Sequence, residues 1–178
     1  MQVKLLIIKM LFILFIAVIS SCITPVQDKS EVKNPNYKES LIKANKYIRA
    51  RSRAHIVAFN ERVEWNLQET STGLWYEIID TGNGNHIEQN SFVSYSFKTR
   101  LLTGEVCYEA DNNNPRSIVI GKDNIETGLQ EGLLMLREGA KARFIIPPFL
   151  AHGNFGDGMK IPGAAVLITE VEILSVKR

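Results

Sequence analysis

The run GLQEGLLMLREGAKARFIIPPFLAHGNFGDGMKIP at residues 128–162 limits the possible folds more than any other part of the chain, because it fixes a helix, a strand and a loop in order. Leu129, Leu133 and Leu136 recur at helical spacing and Gly139 follows, so the pattern predicts a short amphipathic helix ending near Glu138, with Gly139 as a left-handed stop. Over residues 141–146, Ala142, Phe144 and Ile146 share one face of a half-buried strand that Pro147 and Pro148 terminate. Residues 149–163 hold four glycines and a proline and read as a structured loop. A last strand over 165–174 places Leu167, Thr169, Val171 and Ile173 on one side.

Upstream, residues 72–79 read as a Gly-bounded first strand, followed by a turn at 80–84. Val93, Tyr95 and Phe97 alternate with Ser94, Ser96 and Lys98, the pattern of a strand over 92–100 with one buried face. Thr103-Gly104 turns the chain back through 105–108, and a polar loop at 111–115 leads to a strand over 117–120. Strands, one helix and two strands make an α+β fold, an antiparallel sheet wrapped around a short helix. Before it, Leu41, Ala44 and Ile48, then Ile56, Phe59 and Val63, recur at three- and four-residue steps and predict one longer helix, or two stacked pieces, to about Glu64. Arg49, Arg51 and Arg53 on that helix read as a basic face or as a solvated surface.

A chain of 178 residues with 45% hydrophobic content is enough for one core once a leader and tether are set aside. A net charge of +2 with both signs interspersed argues against a nucleic-acid surface, and no Cys or His spacing matches a metal site. Lys4 and Lys9 precede an apolar run that ends at Ile19-Ser20-Ser21-Cys22, too short to span a bilayer. This resembles a bacterial lipoprotein signal, which makes Cys22 the lipidated first mature residue, anchored durably only because several acyl chains share it. Cys107 is then left without a disulfide partner in the chain. The expected divisions are a signal at 1–21, a Pro- and Asn-rich tether at 22–37, a helical segment at 38–69 and a globular domain at 70–178.

Co-linear signposts carry a family resemblance over roughly residues 73–177. They are Thr72-Gly73-Leu74-Trp75-Tyr76, Leu101-Leu102-Thr103-Gly104, Ile120-Gly121, Gly128-Leu129-Gln130-Glu131-Gly132, Gly139-Ala140-Lys141-Ala142, Ile146-Pro147-Pro148, Ala151-His152-Gly153, Ile161-Pro162 and Glu170-Val171-Glu172-Ile173. Their order resembles the FKBP-type peptidyl-prolyl cis-trans isomerases, and the leader and long helix look like the exported lipoprotein branch, including gliding-motility-associated members. The resemblance implies an isomerase without a cofactor, acting in the cell envelope on proline-containing exported polypeptides. The membrane partner is reached through the lipid on Cys22, and oligomers are expected through the N-terminal helix.

Such an enzyme needs no nucleophile. The prolyl imide barrier of roughly 18–20 kcal/mol comes from resonance, and a dry cleft favours the twisted, less polar imide while rim donors hold the substrate carbonyl. Carried onto this chain, the resemblance places Phe97 at the family's strand tyrosine, with Tyr95 on the same face as the alternative if the register slips by two. Cys107 and Tyr108 stand at the Phe-Asp pair, Leu129 at the helix Trp, His152 at the loop tyrosine and Thr169 at the last-strand Phe, while Ile125 and Ile161 match directly. Phe97, Tyr108 and His152 are thereby the catalytic candidates and Tyr95, Cys107, Ile125, Leu129, Ile161 and Thr169 the substrate-binding ones. Tyr108 and His152 are the expected rim donors. Two competing readings follow: a non-catalytic binding module for exported proteins, and a thiol set of Cys107, His152 and Asp157.

Overall fold

The computed structural model describes residues 35–178; the signal, Cys22 and most of the segment read as a tether lie outside them. The chain divides into two units, Met1–Glu39 and Ser40–Arg178, the first contributing here only the opening residues of one helix. That helix, α1, runs unbroken over Pro35–Val63. It starts within the stretch assigned to the tether because Pro35 supplies a pre-set φ where no helical N–H is needed. It stops where Glu64 turns left-handed at φ 52°.

Seven strands form one antiparallel sheet. They are β1 (Gln68–Glu69), β2 (Trp75–Asp80), β3 (Phe92–Leu101), β4 (Val106–Ala110), β5 (Arg116–Val119), β6 (Lys141–Ile146) and β7 (Leu167–Lys177). The order is β1-β2-β6-β7-β3-β4, and β5 pairs with the first half of β3 as β4 pairs with the second. β1 lies at the end of the 38–69 segment, past the helix expected to about Glu64, and it is a strand that sequence reading did not foresee, Gln68 and Glu69 pairing with Tyr76 and Trp75. The other strand ends differ from expectation by a few residues, β7 running on to Lys177 because β3 pairs with it along its full length.

Alternation sorts the side chains between two layers. Val93, Tyr95, Ala142, Phe144, Ile146, Leu167, Val171 and Ile173 face the short helix α2 (Thr127–Leu133) in the main core. Ile145 and Ile168 point to the opposite face, where they join Trp75, Val166 and Ile56 of α1. The long helix therefore packs on its own domain through its C-terminal half.

The glycines of the opening motif let α2 approach the sheet. A Cβ at Gly132 would lie 2.5 Å from Phe144, and one at Gly128 would lie 2.6 Å from Ile146. Gly139 is left-handed at φ 85°, as expected, yet α2 ends five residues short of the predicted stop. Residues 135 and 136 close tighter bonds to Gly132 and Leu133, and the backbone of 136–138 pairs with 84–87 instead of continuing the helix. Leu136 is still buried, so its spacing reported packing rather than helix.

Candidate functional site

A cleft of about 360 Å³ opens between the middle of β4, the start of β5, the segment leading into α2 and the loop after β6. Tyr108, Arg116, Asn124, Ile125, Glu126, Ala151, His152 and Asp157 line it. A 3₁₀ turn at Pro148–Leu150 aims the following loop back over the sheet, which brings His152 and Asp157 to Tyr108.

Asp157 organises this loop. Its Oδ1 accepts the backbone N–H groups of Met159 at 2.9 Å and Ile161 at 2.8 Å, and its Oδ2 accepts the Tyr108 hydroxyl. These donors, the Tyr108 hydroxyl foremost, lower its pKa to about 2. The same bond, with burial and the Asp157 charge, raises that of Tyr108. Lys160 lies over the Tyr108 ring, 5.4 Å from its centroid. His152 Nε2 is 3.1 Å from Glu126 Oε1, and since an ionised carboxylate only accepts, that nitrogen is the donor. Both expected rim donors are thus engaged within the protein.

The predicted residues fall into three groups. Tyr108, Ile125 and His152 meet in the cleft. Tyr95, Cys107, Leu129, Ile161 and Thr169 are buried, with Thr169 hydrogen-bonded to Thr99 at 3.0 Å across the β3–β7 pair. Phe97 is half-buried beside Tyr95, ring centroids 5.7 Å apart, and borders a separate depression near the 111–114 loop. Tyr95, fully buried, is therefore the inward tyrosine of β3, and its hydroxyl has no hydrogen-bond partner among the described residues. Burial pushes its pKa up to about 12, with Arg116 opposing and Glu126 adding to the shift.

The thiol reading fails on geometry and charge. Cys107 is 2% exposed, its pKa is raised by burial and then by Glu105 and Asp157, and His152 bonds Glu126 instead. Sequence reasoning overlooked Arg116 and Glu126. Arg116 has no carboxylate within ion-pair distance among the described residues, and its guanidinium lies 5.8 Å from the Phe97 centroid. The available signal was local: a charged residue directly after Ile125, and another directly after Pro115.

The model of the FKBP-type peptidyl-prolyl cis-trans isomerases matches residues 84–174, half of the chain. The chain belongs to that family. A probable FKBP-type peptidyl-prolyl cis-trans isomerase of Haemophilus influenzae is 31% identical over 111 residues, covering 62% of this chain and 46% of that protein. FkpA, an FKBP-type isomerase of Escherichia coli K12, is 33% identical over 116 residues, covering 64% and 42%. The chain thus spans under half the length of the curated relatives it matches. The crystal structure of Escherichia coli FkpA superposes with a TM-score of 0.61 at 26% identity over 80% of this chain and 69% of that one. A Pseudomonas syringae isomerase structure shares the fold, with a TM-score of 0.64 at 21% identity over 75% and 96%.

The lining of the cleft mixes apolar and charged groups. Ile125 and Ala151 are its only aliphatic lining residues, while Arg116, Glu126, His152 and Asp157 bring charge or imidazole. Among the described residues no group of three or more His, Cys, Asp or Glu is placed to hold a metal ion.

Proposed function

We propose that this chain is a prolyl cis-trans isomerase of modest efficiency acting on exported polypeptides. The observation that carries this is the meeting of Tyr108, Ile125 and His152 in one cleft at the positions the family resemblance assigns to the substrate pocket. Ile125 and Ala151 offer the proline ring a small apolar seat, and Arg116 and Asn124 are lining donors without a side-chain hydrogen-bond partner among the described residues, open to a substrate carbonyl. Charges in the cleft keep water and polarity near the imide, which weakens the preference for its twisted form. A cis-to-trans relaxation assay on Xaa-Pro peptides tests this; rates equal to the uncatalysed reaction at saturating protein would overturn it.

A binding role for unfolded exported proteins is favoured by a separate observation. Phe155 and Met159, on the loop that Asp157 organises, are 94% and 82% exposed. Capture of a reduced, unfolded test protein that persists in Arg116→Ala and is lost in Phe155→Ser/Met159→Ser supports this second reading.

Lipidation of Cys22, attachment to the envelope membrane and membership in the exported, gliding-associated branch belong to the same proposal and rest on the leader sequence. Metabolic labelling with a fatty acid, abolished by Cys22→Ser, tests the anchor. Pairing of two chains through the part of α1 with exposed Leu41, Ile42 and Tyr47 is proposed likewise, and sedimentation of the wild type against Leu41→Lys/Ile42→Lys decides it.

A further inference from the structure

A second recess lies away from the prolyl cleft, on the flank of α1. It holds about 390 Å³ and is bounded by Lys46, Arg49 and Arg53 of the helix, the Glu69–Gly73 loop, Trp75 and Phe149. The three cations sit at steps of three and four residues, so one side of the helix presents them in a row. Arg49 stacks on Phe149 at 3.9 Å from the ring centroid, and Arg53 lies 5.7 Å from that of Trp75. Stacking on a ring face holds a planar guanidinium while leaving its N–H edge free to donate.

Charge in the recess is unbalanced. Glu69 neutralises Arg53 through two hydrogen bonds of 3.2 and 2.8 Å, while Lys46 and Arg49 have no carboxylate within ion-pair distance among the described residues. The imbalance extends along the helix, since residues 40–60 include five Lys or Arg and no Asp or Glu. Ile42, one turn before Lys46, and Tyr47 are 59% and 65% exposed, apolar surface of the kind that seats at a headgroup boundary.

We infer that this recess binds the phosphate of an anionic phospholipid headgroup, with Lys46 and Arg49 as its direct partners and Arg53 as the cation that Glu69 holds in place. A phosphate diester matches the forked Arg49 donors, and a bilayer surface matches the run of cations without acids better than an isolated anion does. The inference rests on the lipid-anchored reading only for the source of the phosphate.

Unlipidated Cys22→Ser protein without its leader separates the two, because vesicle binding then depends on the helix alone. Co-sedimentation with phosphatidylglycerol vesicles is expected, with little on phosphatidylcholine. Lys46→Gln/Arg49→Gln should weaken it at least about tenfold, whereas Lys43→Gln/Arg51→Gln, equal in charge but outside the recess, should weaken it less than about threefold. Saturable blue-shift of Trp75 fluorescence by glycerol phosphate, lost in the recess pair, supports the same site. Equal loss in both pairs overturns it as a general charge effect. Tighter binding of free inorganic phosphate than of vesicles, or equal binding of an oligoglutamate peptide, overturns the lipid assignment. Failure of fatty-acid labelling at Cys22 with recess-dependent vesicle binding intact overturns the anchor alone.

Discussion

The Tyr108 hydroxyl donates to Asp157, tying the middle of β4 to a glycine-rich loop forty-nine residues later and closing one side of the cleft. The carboxylate also takes the Met159 and Ile161 N–H groups, so one side chain fixes both the loop backbone and the cleft rim.

The first prediction follows from its titration. Asp157 has a folded pKa of about 2 against an ordinary 3.8, so its charged form stabilises the fold. That contribution is complete above about pH 4 and is lost as the pH falls through about 2. Asp157→Asn should be less stable than wild type at pH 6, and the gap should narrow steadily from pH 4 to pH 2 in urea denaturation. A gap independent of pH would mean that the Asp157 charge makes no pH-linked contribution to folding stability.

Restoring the family's aspartate at position 108 fails as a single change. Tyr108→Asp puts a second carboxylate beside Asp157, and two such groups cannot both stay ionised at close range. The single variant should lose stability near neutral pH without faster isomerisation. Tyr108→Asp/Asp157→Asn should recover stability and, with the phenol ring gone from the cleft, raise kcat/KM by about tenfold, equivalent to about 1.4 kcal/mol. Peptide relaxation assays on the three proteins decide it.

Tyr95 carries a fully buried hydroxyl without a hydrogen-bond partner among the described residues. Leaving such a group unsatisfied costs about 1–3 kcal/mol, so Tyr95→Phe should stabilise the domain by about 1 kcal/mol by urea denaturation. A destabilised variant would reveal a bound water or another partner at the hydroxyl.

Cys107 should be inert while the domain is folded. It is buried, and burial with the nearby Glu105 and Asp157 charges raises its pKa. Iodoacetamide at pH 8 should modify it more than about a hundredfold faster in denaturant than in buffer, because reaction waits on opening. Rapid native labelling would revive the thiol chemistry that the geometry rejects.

Period-two alternation made β3, β6 and β7 legible, with Phe144 and Ile146 facing α2 and Ile145 facing away. Helical spacing misled at Leu136, which is buried beyond the end of α2, since burial period and backbone hydrogen bonding part company where 136–138 pair with 84–87. At the site, chain position located Ile125 and His152 but not their partners. The Glu126–His152 bond spans twenty-six residues and depends on how the 3₁₀ turn redirects the loop, which no local pattern encodes. Tyr95 and Phe97 share a strand face, so only packing decides which of them is the inward ring.

Gly132 tests why the opening motif needs its glycines. Alanine there gains about 1 kcal/mol of helix propensity but sets a Cβ 2.5 Å from Phe144 Cε1 and 2.6 Å from its Cζ. Core overpacking of this kind costs about 1–3 kcal/mol, so Gly132→Ala should be destabilised overall by about 1–2 kcal/mol. Phe144→Leu alone should also destabilise, by removing ring contacts from a fully buried position. The double variant Gly132→Ala/Phe144→Leu should lose less than the sum, since the smaller side chain vacates the space the new methyl group needs. A coupling of at least about 0.5 kcal/mol in that cycle locates the role of Gly132 in the α2–β6 contact. Strict additivity would place it instead in the helix backbone alone.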